Sequence, residues 1–404
     1  MSRRTLFKWF GAVGGMLGIG PVVPQRAAAA PPAPAGATPP GADALSSGAL
    51  WNAFCDQLKA AGGQILRPEA PASAFDRAEG YRYLTRLLRA GLEQYVEFAD
   101  PHFPVLFSLV DTNKKIGADN PDNLYQNAQI DGRLEYRITG HRGTVHYIGF
   151  STKAGNYGKN QALTGTGFLD SENMKFSPDG AFELIISAKP HPGNWLPMTA
   201  ETETVLVRQT FLDRRRETPA TVTIECLNGP KTPAPLQPER FAQQLMASAT
   251  FVGGTAKLFA DWAKTFKSAP NTFAPQDQRI YQKAGGDPSI FYVHGYWTLA
   301  PDEALVVDIP KAEAQFWNFQ VDNYWMESLD YRYFTIHLNQ STAKANPDGS
   351  VTLVLAHRDP GMPNWLSTAG HHVGTMMYRL ISGKTQPYPK ARVIRLPAAN
   401  APKT

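Results

Sequence analysis

The chain contains nearly the same five-residue phrase twice. Residues 192–196 read PGNWL, and residues 360–366 read PGMPNWL. Before each phrase, a Pro-Asp-Gly turn leads into a run that alternates apolar and polar side chains, at 178–186 and 347–355. After each phrase comes a strand-like run with a central arginine. Several landmarks in one order, at offsets of 167 to 171 residues, indicate an internal duplication, because chance explains one shared pentapeptide but not a series.

The duplicated segments predict the fold class. They span most of 130–226 and 292–396, and each holds several short alternating runs separated by turn residues, a pattern typical of a β-sandwich. We therefore expect a mainly β protein of two duplicated jelly-roll-like β-sandwich units, with helical segments before and between them. The predicted segments are an N-terminal helical segment at 47–98, a first β unit at 99–230, a helical bridge at 231–286 and a second β unit at 287–398.

Three amphipathic helices are predicted outside the β units, at 50–65, 74–98 and 239–267. Ser73 is positioned to cap the second of them. Apolar side chains at three- and four-residue spacing predict the buried stripes of the second and third helices. The stripes are Tyr81, Leu84, Leu88, Leu92 and Tyr95, and Phe241, Leu245, Phe251, Leu258 and Trp262.

The first 30 residues predict an export signal. Two adjacent arginines, Arg3 and Arg4, lie in a short basic head and are followed by a glycine-rich, mildly apolar run at 9–23 and by small residues at 27–30. This order is typical of a signal peptide, and the arginine pair indicates the twin-arginine route. A membrane anchor is disfavoured because about 20 apolar residues are needed to span a bilayer. Residues 31–46, rich in Pro and Ala, then predict a linker, and the protein is expected to be periplasmic or secreted.

Charge and motifs exclude several function classes. The net charge falls from +5 to +1 without the signal, because four basic residues and no acid lie within residues 1–30. We therefore expect no nucleic-acid partner, and no other segment is long and apolar enough for a membrane span in the mature chain. The sequence has no nucleotide-binding, zinc or serine-esterase motif, so no cofactor and no metal is predicted.

Two smaller features leave alternatives open. Cys55 and Cys226 are too few for a disulfide scaffold in a chain of 404 residues, although the two could still pair with each other. The run GADNPDN at 117–123 gathers oxygen atoms that a calcium ion could use, but it lacks the spacing of the known calcium loop. A turn whose side chains bond their own backbone fits that run better.

The duplication also ranks the candidate site residues. A residue found at the same place in both copies, such as Arg208 and Arg379, most simply serves the fold that both copies share. Ionisable side chains present in only one copy are free for another purpose, because the fold forms without them. The second copy has more of these side chains than the first.

Two loops of the second copy carry such residues. The run His357-Arg358-Asp359 follows a predicted strand, and His371-His372 follows a second loop. An imidazole, a carboxylate and a guanidinium can act as base, orienting group and anion clamp, so we expect His357, Asp359 and His371 to be catalytic and Arg358 and His372 to bind substrate. Adjacent histidines alternate in direction, so only one of that pair is expected to point inward. The alternative is that all five are hydrogen-bonded loop residues.

A third one-copy run, WMESLDYRY at 325–333, interleaves aromatic rings with two carboxylates. Rings stack on sugars and carboxylates bind hydroxyl groups, so Trp325, Glu327, Asp330 and Tyr331 are predicted to bind substrate. The alternative is that the two aromatic residues pack against the helical bridge. These groups favour an exported protein that binds a small organic or carbohydrate ligand, with hydrolysis as the reaction they could catalyse. The other interpretation is a non-catalytic envelope or surface module that binds a polymer or a partner protein.

Four stretches resemble the bacterial family known as domain of unknown function 1214. They are GADNPDNLY at 117–125, GNWLPM at 193–198, FWNFQVDNYWMESLDYRY at 316–333 and HRDPGMPNWL at 357–366. The resemblance covers nearly all of residues 75–396 and implies β-sandwich domains. It carries over no catalytic residue, because the activity of that family is unsettled.

Overall fold

The computed structural model describes residues 42–397, so the predicted export signal lies outside the described residues. Within this range the chain forms four four-stranded sheets and six α-helices. The helices are α1 (Ala42–Ser46), α2 (Ala49–Ala61), α3 (Ala74–Leu92, continued by a π turn at Glu93–Glu97), α4 (Tyr157–Asn160), α5 (Pro238–Lys267) and α6 (Gln278–Lys283).

The first β unit is a sandwich of two sheets. Its strands are β1 (Asn123–Gln129), β2 (Tyr136–His141), β3 (Tyr147–Ala154), β4 (Thr164–Asp170), β5 (Ala181–Ser187), β6 (Trp195–Pro197), β7 (Thr202–Thr210) and β8 (Thr221–Cys226). One sheet has the order β1-β7-β3-β4, and the other has the order β6-β5-β2-β8. The alternating side chains of each strand face one another between the sheets, where Phe150 and Val205 meet Ile138 and Leu184.

The second β unit repeats this topology. Its strands are β9 (Ile290–Thr298), β10 (Glu303–Ile309), β11 (Phe316–Val321), β12 (His337–Asn339), β13 (Val351–Ala356), β14 (Trp365–Ser367), β15 (Val373–Ile381) and β16 (Lys390–Arg395). The sheet orders are β9-β15-β11-β12 and β14-β13-β10-β16, each the counterpart of a sheet in the first unit. The prediction of a mainly β chain with two duplicated sandwich units is confirmed.

The repeated phrase occupies the same place in both units. Trp195 begins β6 and pairs in parallel with β5, and Trp365 begins β14 and pairs in parallel with β13. Both indole nitrogens donate to a backbone carbonyl of that neighbouring strand, at 3.2 Å from Trp195 to Ser187 and 3.1 Å from Trp365 to Ala356. The phrase therefore recurs because a short parallel strand and its tryptophan anchor recur.

The three predicted helices are present. Ser73 caps α3, with its hydroxyl accepting from the backbone N–H of Asp76 at 3.0 Å. The predicted stripe of α3 is wrong at Tyr81, which is 45% exposed, because the buried face is one residue earlier and includes Gly80. Gly80 allows a close approach: a Cβ there would lie 2.7 Å from the ring of Trp325. None of the described helices is long and apolar enough to cross a membrane.

The linker prediction is wrong at its end. Residues 42–46 form α1 instead of an unstructured tether, because Ala44 and Leu45 pack against apolar side chains of α2 and α5, including Phe54 and Leu245.

Cys55 and Cys226 are both free thiols. The run at 117–123 is a turn of the predicted kind, in which the Asn120 side chain accepts from the backbone N–H of Asp122 at 3.0 Å.

Candidate functional site

The first predicted loop places His357 directly after β13. Its Nδ1 lies 3.0 Å from the hydroxyl of Thr368, and its Nε2 lies 3.2 Å from the carbonyl oxygen of Leu299. A carbonyl only accepts hydrogen bonds, so Nε2 carries the ring proton and Nδ1 accepts from the hydroxyl. Both ring nitrogens are therefore hydrogen-bonded, and the Thr368 hydroxyl that Nδ1 binds is fully buried, so this pair is not presented to a substrate.

The two neighbours of His357 face other partners. Asp359 is exposed, and its carboxylate accepts from the backbone N–H of Gly361 at 2.8 Å, which shapes the turn. Arg358 donates to the carbonyl of Pro397 near the end of the described chain. Asp359 forms no hydrogen bond to His357 among the described residues, so the geometry gives no support for its role as the orienting group of that imidazole.

Only one of the two adjacent histidines is buried, as expected, although both lie just before β15 and not in a strand. His372 is exposed, and its ring lies 4.9 Å from the ring of His357. His371 is buried, with Nδ1 3.1 Å from the carbonyl of Thr368 and its ring edge-on to Phe75 of α3 at 4.8 Å. Burial lowers the pKa of His371. This imidazole thus joins the second unit to an N-terminal helix and does not open into a pocket with His357.

The Trp325 loop is mostly interior. Trp325 is 1% exposed, donates from Nε1 to the carbonyl of Asp76 at 3.1 Å and packs on Gly80, so neither ring face is free to stack on a sugar. These contacts are with α3, and Trp325 also belongs to the buried apolar cluster that includes Phe259 of α5, in the predicted helical bridge. Glu327 is fully buried and forms an ion pair with Arg86 of α3 at 2.6 Å. Burial raises the pKa of Glu327.

The other two predicted residues of that loop, Asp330 and Tyr331, lie at its less buried end. The Arg332 guanidinium binds both carboxylate oxygens of Asp330, at 2.9 and 2.7 Å, and lowers the pKa of Asp330 to about 2. The ring of Tyr331 faces the buried ammonium group of Lys115 at 4.8 Å. The nine predicted site residues therefore do not surround one cavity. Most of them hold loops in place through hydrogen bonds, ion pairs or packing.

A different group of residues does surround a cavity. A space of about 140 Å³ lies between the two β units and is roofed by α5. Its walls are mainly apolar and aromatic, with a few polar side chains. The aromatic residues are Tyr125, Tyr157, Phe259, Trp262, Tyr281 and Tyr292, and the polar side chains include Asn127, Arg208, His294 and Arg379.

Both copies contribute the same positions to this cavity. Tyr125 of β1 lies directly opposite Arg208 of β7, and Tyr292 of β9 lies directly opposite Arg379 of β15. Two residues further along the same faces, Asn127 pairs with Leu206, and His294 pairs with Met377. Because alternate residues of a strand share a face, each unit presents a matched four-residue patch to the other.

The two arginines cross between the units in a reciprocal way. Arg208 of the first unit donates to the carbonyl of Gly285, just before the second unit, at 2.8 Å. Arg379 of the second unit donates to the carbonyl of Ala118, just before the first unit, also at 2.8 Å. Gly285 and Ala118 both have positive φ, 89° and 56°. This shared backbone conformation gives the two carbonyls a similar orientation. Both arginines were expected to serve only the fold that the two copies share.

Ionic partners of the two arginines differ. Arg208 lies 3.4 Å from the carboxylate of Asp287. Lys153 lies beside this pair, 1% exposed and 3.4 Å from the carbonyl of Gly286, and burial lowers the pKa of Lys153 to about 7. For Arg379, which is 3% exposed, no ion pair exists among residues 42–397.

His294 forms part of the cavity wall next to these arginines. Its ring stacks on Phe266 with 5.0 Å between centroids and lies 5.9 Å from the ring of Trp262. Burial lowers the pKa of His294 to about 3, so the imidazole is neutral near pH 7. Its Nδ1 is buried without a hydrogen-bond partner in the described part of the chain.

A second cavity of about 460 Å³ shares Trp262, Tyr281 and His294 with the first. Its rim includes the exposed residues Ser268 and Pro275, so it leads toward solvent. A volume of this size is within the usual range for small-molecule sites. The sequence signal for this cavity was the arginine that both copies carry. The ranking favoured residues present in only one copy, so it did not consider a site formed where the two copies meet.

Comparisons with known proteins agree with the duplication. The sequence profile of DUF1214, a protein of unknown function, matches at residues 126–211 and again at 298–385. The crystal structure of an uncharacterised protein from Burkholderia cenocepacia covers 88% of this chain and 99% of its own, with 50% identity and a TM-score of 0.87. A crystal structure of a Vibrio parahaemolyticus protein covers 78% of this chain and 98% of its own, with 12% identity and a TM-score of 0.45. No curated protein matches the chain significantly.

The two profile matches correspond to equivalent parts of the structure. The first runs from β1 to just after β7, and the second runs from the end of β9 to just after β15. The first match includes Arg208 of β7 and the second includes Arg379 of β15, whereas Tyr125, Tyr292 and His294 lie outside the matched ranges. With the 50% identity to the Burkholderia cenocepacia protein over most of both chains, these matches show that the chain belongs to the DUF1214 family of proteins of unknown function.

Proposed function

We propose that this protein binds a small organic molecule in the cavity between its two β units. The observation that carries the proposal is the pair of matched Tyr–Arg patches, Tyr125 with Arg208 and Tyr292 with Arg379, that line one cavity. Apolar walls with a few polar groups are typical of small-molecule sites. A wider cavity that opens toward solvent shares Trp262, Tyr281 and His294 with this one.

Binding is better supported than hydrolysis. The side chains expected to act as base and orienting group, His357 and Asp359, are bonded to loop atoms and line neither of the two cavities described above. The neutral His294 does line both cavities, but no described residue bonds to its Nδ1 as an orienting group of the usual kind. We therefore propose a ligand-binding protein without turnover.

The test of this location is a thermal-shift titration of the purified protein with benzoate, benzamide and benzyl alcohol. An apolar cavity of about 150 Å³ accommodates benzene, so these probes fit the space. At least one probe should raise Tm in a saturable way, and Leu206→Phe should abolish the effect because the larger ring fills the cavity. His357→Ala should leave the effect unchanged. Binding that survives Leu206→Phe but disappears in His357→Ala would move the site to the second-unit loops.

A surface-binding module is the second candidate, and one feature favours it. Tyr333 is 78% exposed and Phe334 is 45% exposed on the loop that follows Trp325. Exposed aromatic rings of this kind are typical of contacts with a polymer or a partner protein. A pull-down on insoluble polysaccharide should retain the wild type and release Tyr333→Ala if this candidate is correct.

We also propose that the protein is exported through the twin-arginine route. The support is the basic head with Arg3 and Arg4, followed by an apolar run and small residues. Replacing both arginines by lysine should retain the protein in the cytoplasm, whereas Arg26→Lys should not. Fractionation of cells followed by immunoblotting distinguishes these outcomes, and export of the double-lysine variant would exclude this route.

A further inference from the structure

The two arginines of the cavity between the units differ in how their charge is compensated. Arg208 lies 3.4 Å from the carboxylate of Asp287. The equivalent position on the other side, 167 residues earlier, is Asn120. The equivalence is structural, because the backbone N–H of Asp287 donates to a tyrosine hydroxyl five residues ahead at 3.0 Å, and that of Asn120 does the same at 2.9 Å. An uncharged amide therefore stands where the counter-ion of Arg379 would be.

Two buried carboxylates on that side are bound to other groups. Asp119 accepts from the backbone N–H and the hydroxyl of Ser328, at 3.0 and 2.8 Å. Asp322 accepts from the Gln320 side chain at 2.5 Å. Arg379 is thus a buried guanidinium that, among the described residues, donates to a backbone carbonyl and to the sulfur atom of Met377. A buried charge without a counter-ion is destabilising, and a bound anion would offset that cost.

A second polar group points to the same ligand. His294 is 2% exposed, lines the cavity and has an Nδ1 without a partner among the described residues. Its position on β9 is two residues from Tyr292, which lies opposite Arg379. A neutral imidazole can donate one hydrogen bond to an anionic oxygen that the guanidinium also binds.

The rest of the cavity selects an apolar body. Beyond the arginines, the walls are mainly apolar and include the rings of Phe259 and Trp262, and the polar side chains of Asp119, Asn123 and Asn127 line the cavity as well. The Asp119 carboxylate, which is bonded to Ser328, disfavours a second negative charge on the ligand. The volume of about 140 Å³ fits a ring or a short chain, and the larger cavity past Trp262 leaves room for extension.

We infer that the cavity between the units is a site for a small organic monocarboxylate, whose carboxylate binds Arg379 and whose apolar body lies against the aromatic walls. This inference rests on the proposed function, because it requires the cavity to be the ligand site. The planar guanidinium pairs well with a planar carboxylate. One uncompensated arginine matches one negative charge, and inorganic phosphate would leave the apolar walls without contacts.

The test compares matched probes by isothermal titration calorimetry. Benzoate and benzamide have nearly the same shape and differ in charge, and inorganic phosphate carries charge without the ring. The wild-type protein should bind benzoate at least tenfold more tightly than benzamide and should bind phosphate more weakly than benzoate. Arg379→Met should reduce the affinity for benzoate at least tenfold and leave that for benzamide within threefold.

His357→Ala serves as the control, because it changes a residue outside both cavities and should bind benzoate as the wild type does. Arg379→Met should fold, since it removes an unpaired buried charge and keeps a long side chain. If it does not fold, the preference of the wild type for benzoate over benzamide decides the question.

The failures are distinguishable. Equal affinity for benzoate and benzamide would overturn the carboxylate inference and leave the cavity as the ligand site. Tighter binding of phosphate than of benzoate would also overturn it. Absence of binding by both aromatic probes in the wild type would overturn the proposed function together with this inference.

Discussion

At the scale of single residues, the buried carboxyl group of Asp322 makes stability depend on pH. It has no exposed surface, and its Oδ1 accepts from Gln320 at 2.5 Å. Burial raises the pKa of Asp322 to about 7, from 3.8 in its absence. The folded protein therefore keeps this proton up to about pH 7, whereas the unfolded chain releases it near pH 4. Folding stability contributed by Asp322 is present below pH 4 and is lost as the pH rises toward 7.

We expect Asp322→Asn to be more stable than the wild type above pH 7, by up to about 4 kcal/mol. The asparagine oxygen still accepts from Gln320, and it never ionises. The gain should shrink as the pH falls and vanish near pH 4. Urea unfolding of both proteins between pH 4 and pH 8 measures the free energy of unfolding. Parallel curves for the two proteins would show that Asp322 does not titrate in this range.

Single residues also show why the site was hard to predict. The positions of Trp325 and Glu327 depend on residues far away in the chain: Glu327 pairs with Arg86, 241 positions earlier. Sequence spacing carries no information on such contacts, so the loop resembled an exposed binding surface. Arg208 and Arg379 were recognised as equivalent, but only the packing of the two units shows that they face one cavity.

At the scale of elements, the helices could be predicted because their signals are local. Ser73, the apolar spacing of α5, and Pro238 in its first turn all act within a few residues. The predicted buried face of α3 was wrong by one residue, because the face that is buried depends on how closely Gly80 approaches Trp325. Packing of that kind is decided between elements and not within one.

Two adjacent glycines in α5 give a matched pair of substitutions. A Cβ at Gly254 would lie 2.3 Å from the carbonyl oxygen of Tyr157, whereas a Cβ at Gly253 would meet only the Cβ of Ala61 at 3.9 Å. Gly254→Ala should destabilise the protein by about 1–3 kcal/mol, because α4 must move away. Gly253→Ala should stabilise it by about 0.5–1 kcal/mol through helix propensity. Thermal unfolding of both variants checks this, and equal effects would contradict the close α4–α5 contact.

At the scale of the whole molecule, the two units share an interface and should unfold together. Besides the crossed arginines, Lys153 lies against the carbonyl of Gly286, and the Gln320 side chain donates to the carbonyl of Asp119 at 2.9 Å. These buried contacts run from each unit to the other, so separating the units would expose buried groups on both. One cooperative transition is the expected behaviour.

The two asparagines of the repeated phrase test this cooperativity. Asn194 donates to the carbonyls of Lys175 and Glu183, both at 2.9 Å, and Asn364 makes the equivalent bonds to Lys344 and Thr352 at 2.8 and 2.9 Å.

Asn194→Ala and Asn364→Ala should each lower the stability of one shared transition by about 1–3 kcal/mol. Differential scanning calorimetry should show a single peak for both. Two peaks, with each variant shifting a different one, would mean that the units unfold independently.

The exchange of Asp287 for Asn120 across the duplicated halves has one more consequence. A pocket built from two identical halves would accept an elongated guest either way round, because both ends would look alike. In the proposed site one end has its own counter-ion and the other has none, so a ligand with a single charged group would bind in one orientation only. The duplication would then form a binding site with a defined polarity.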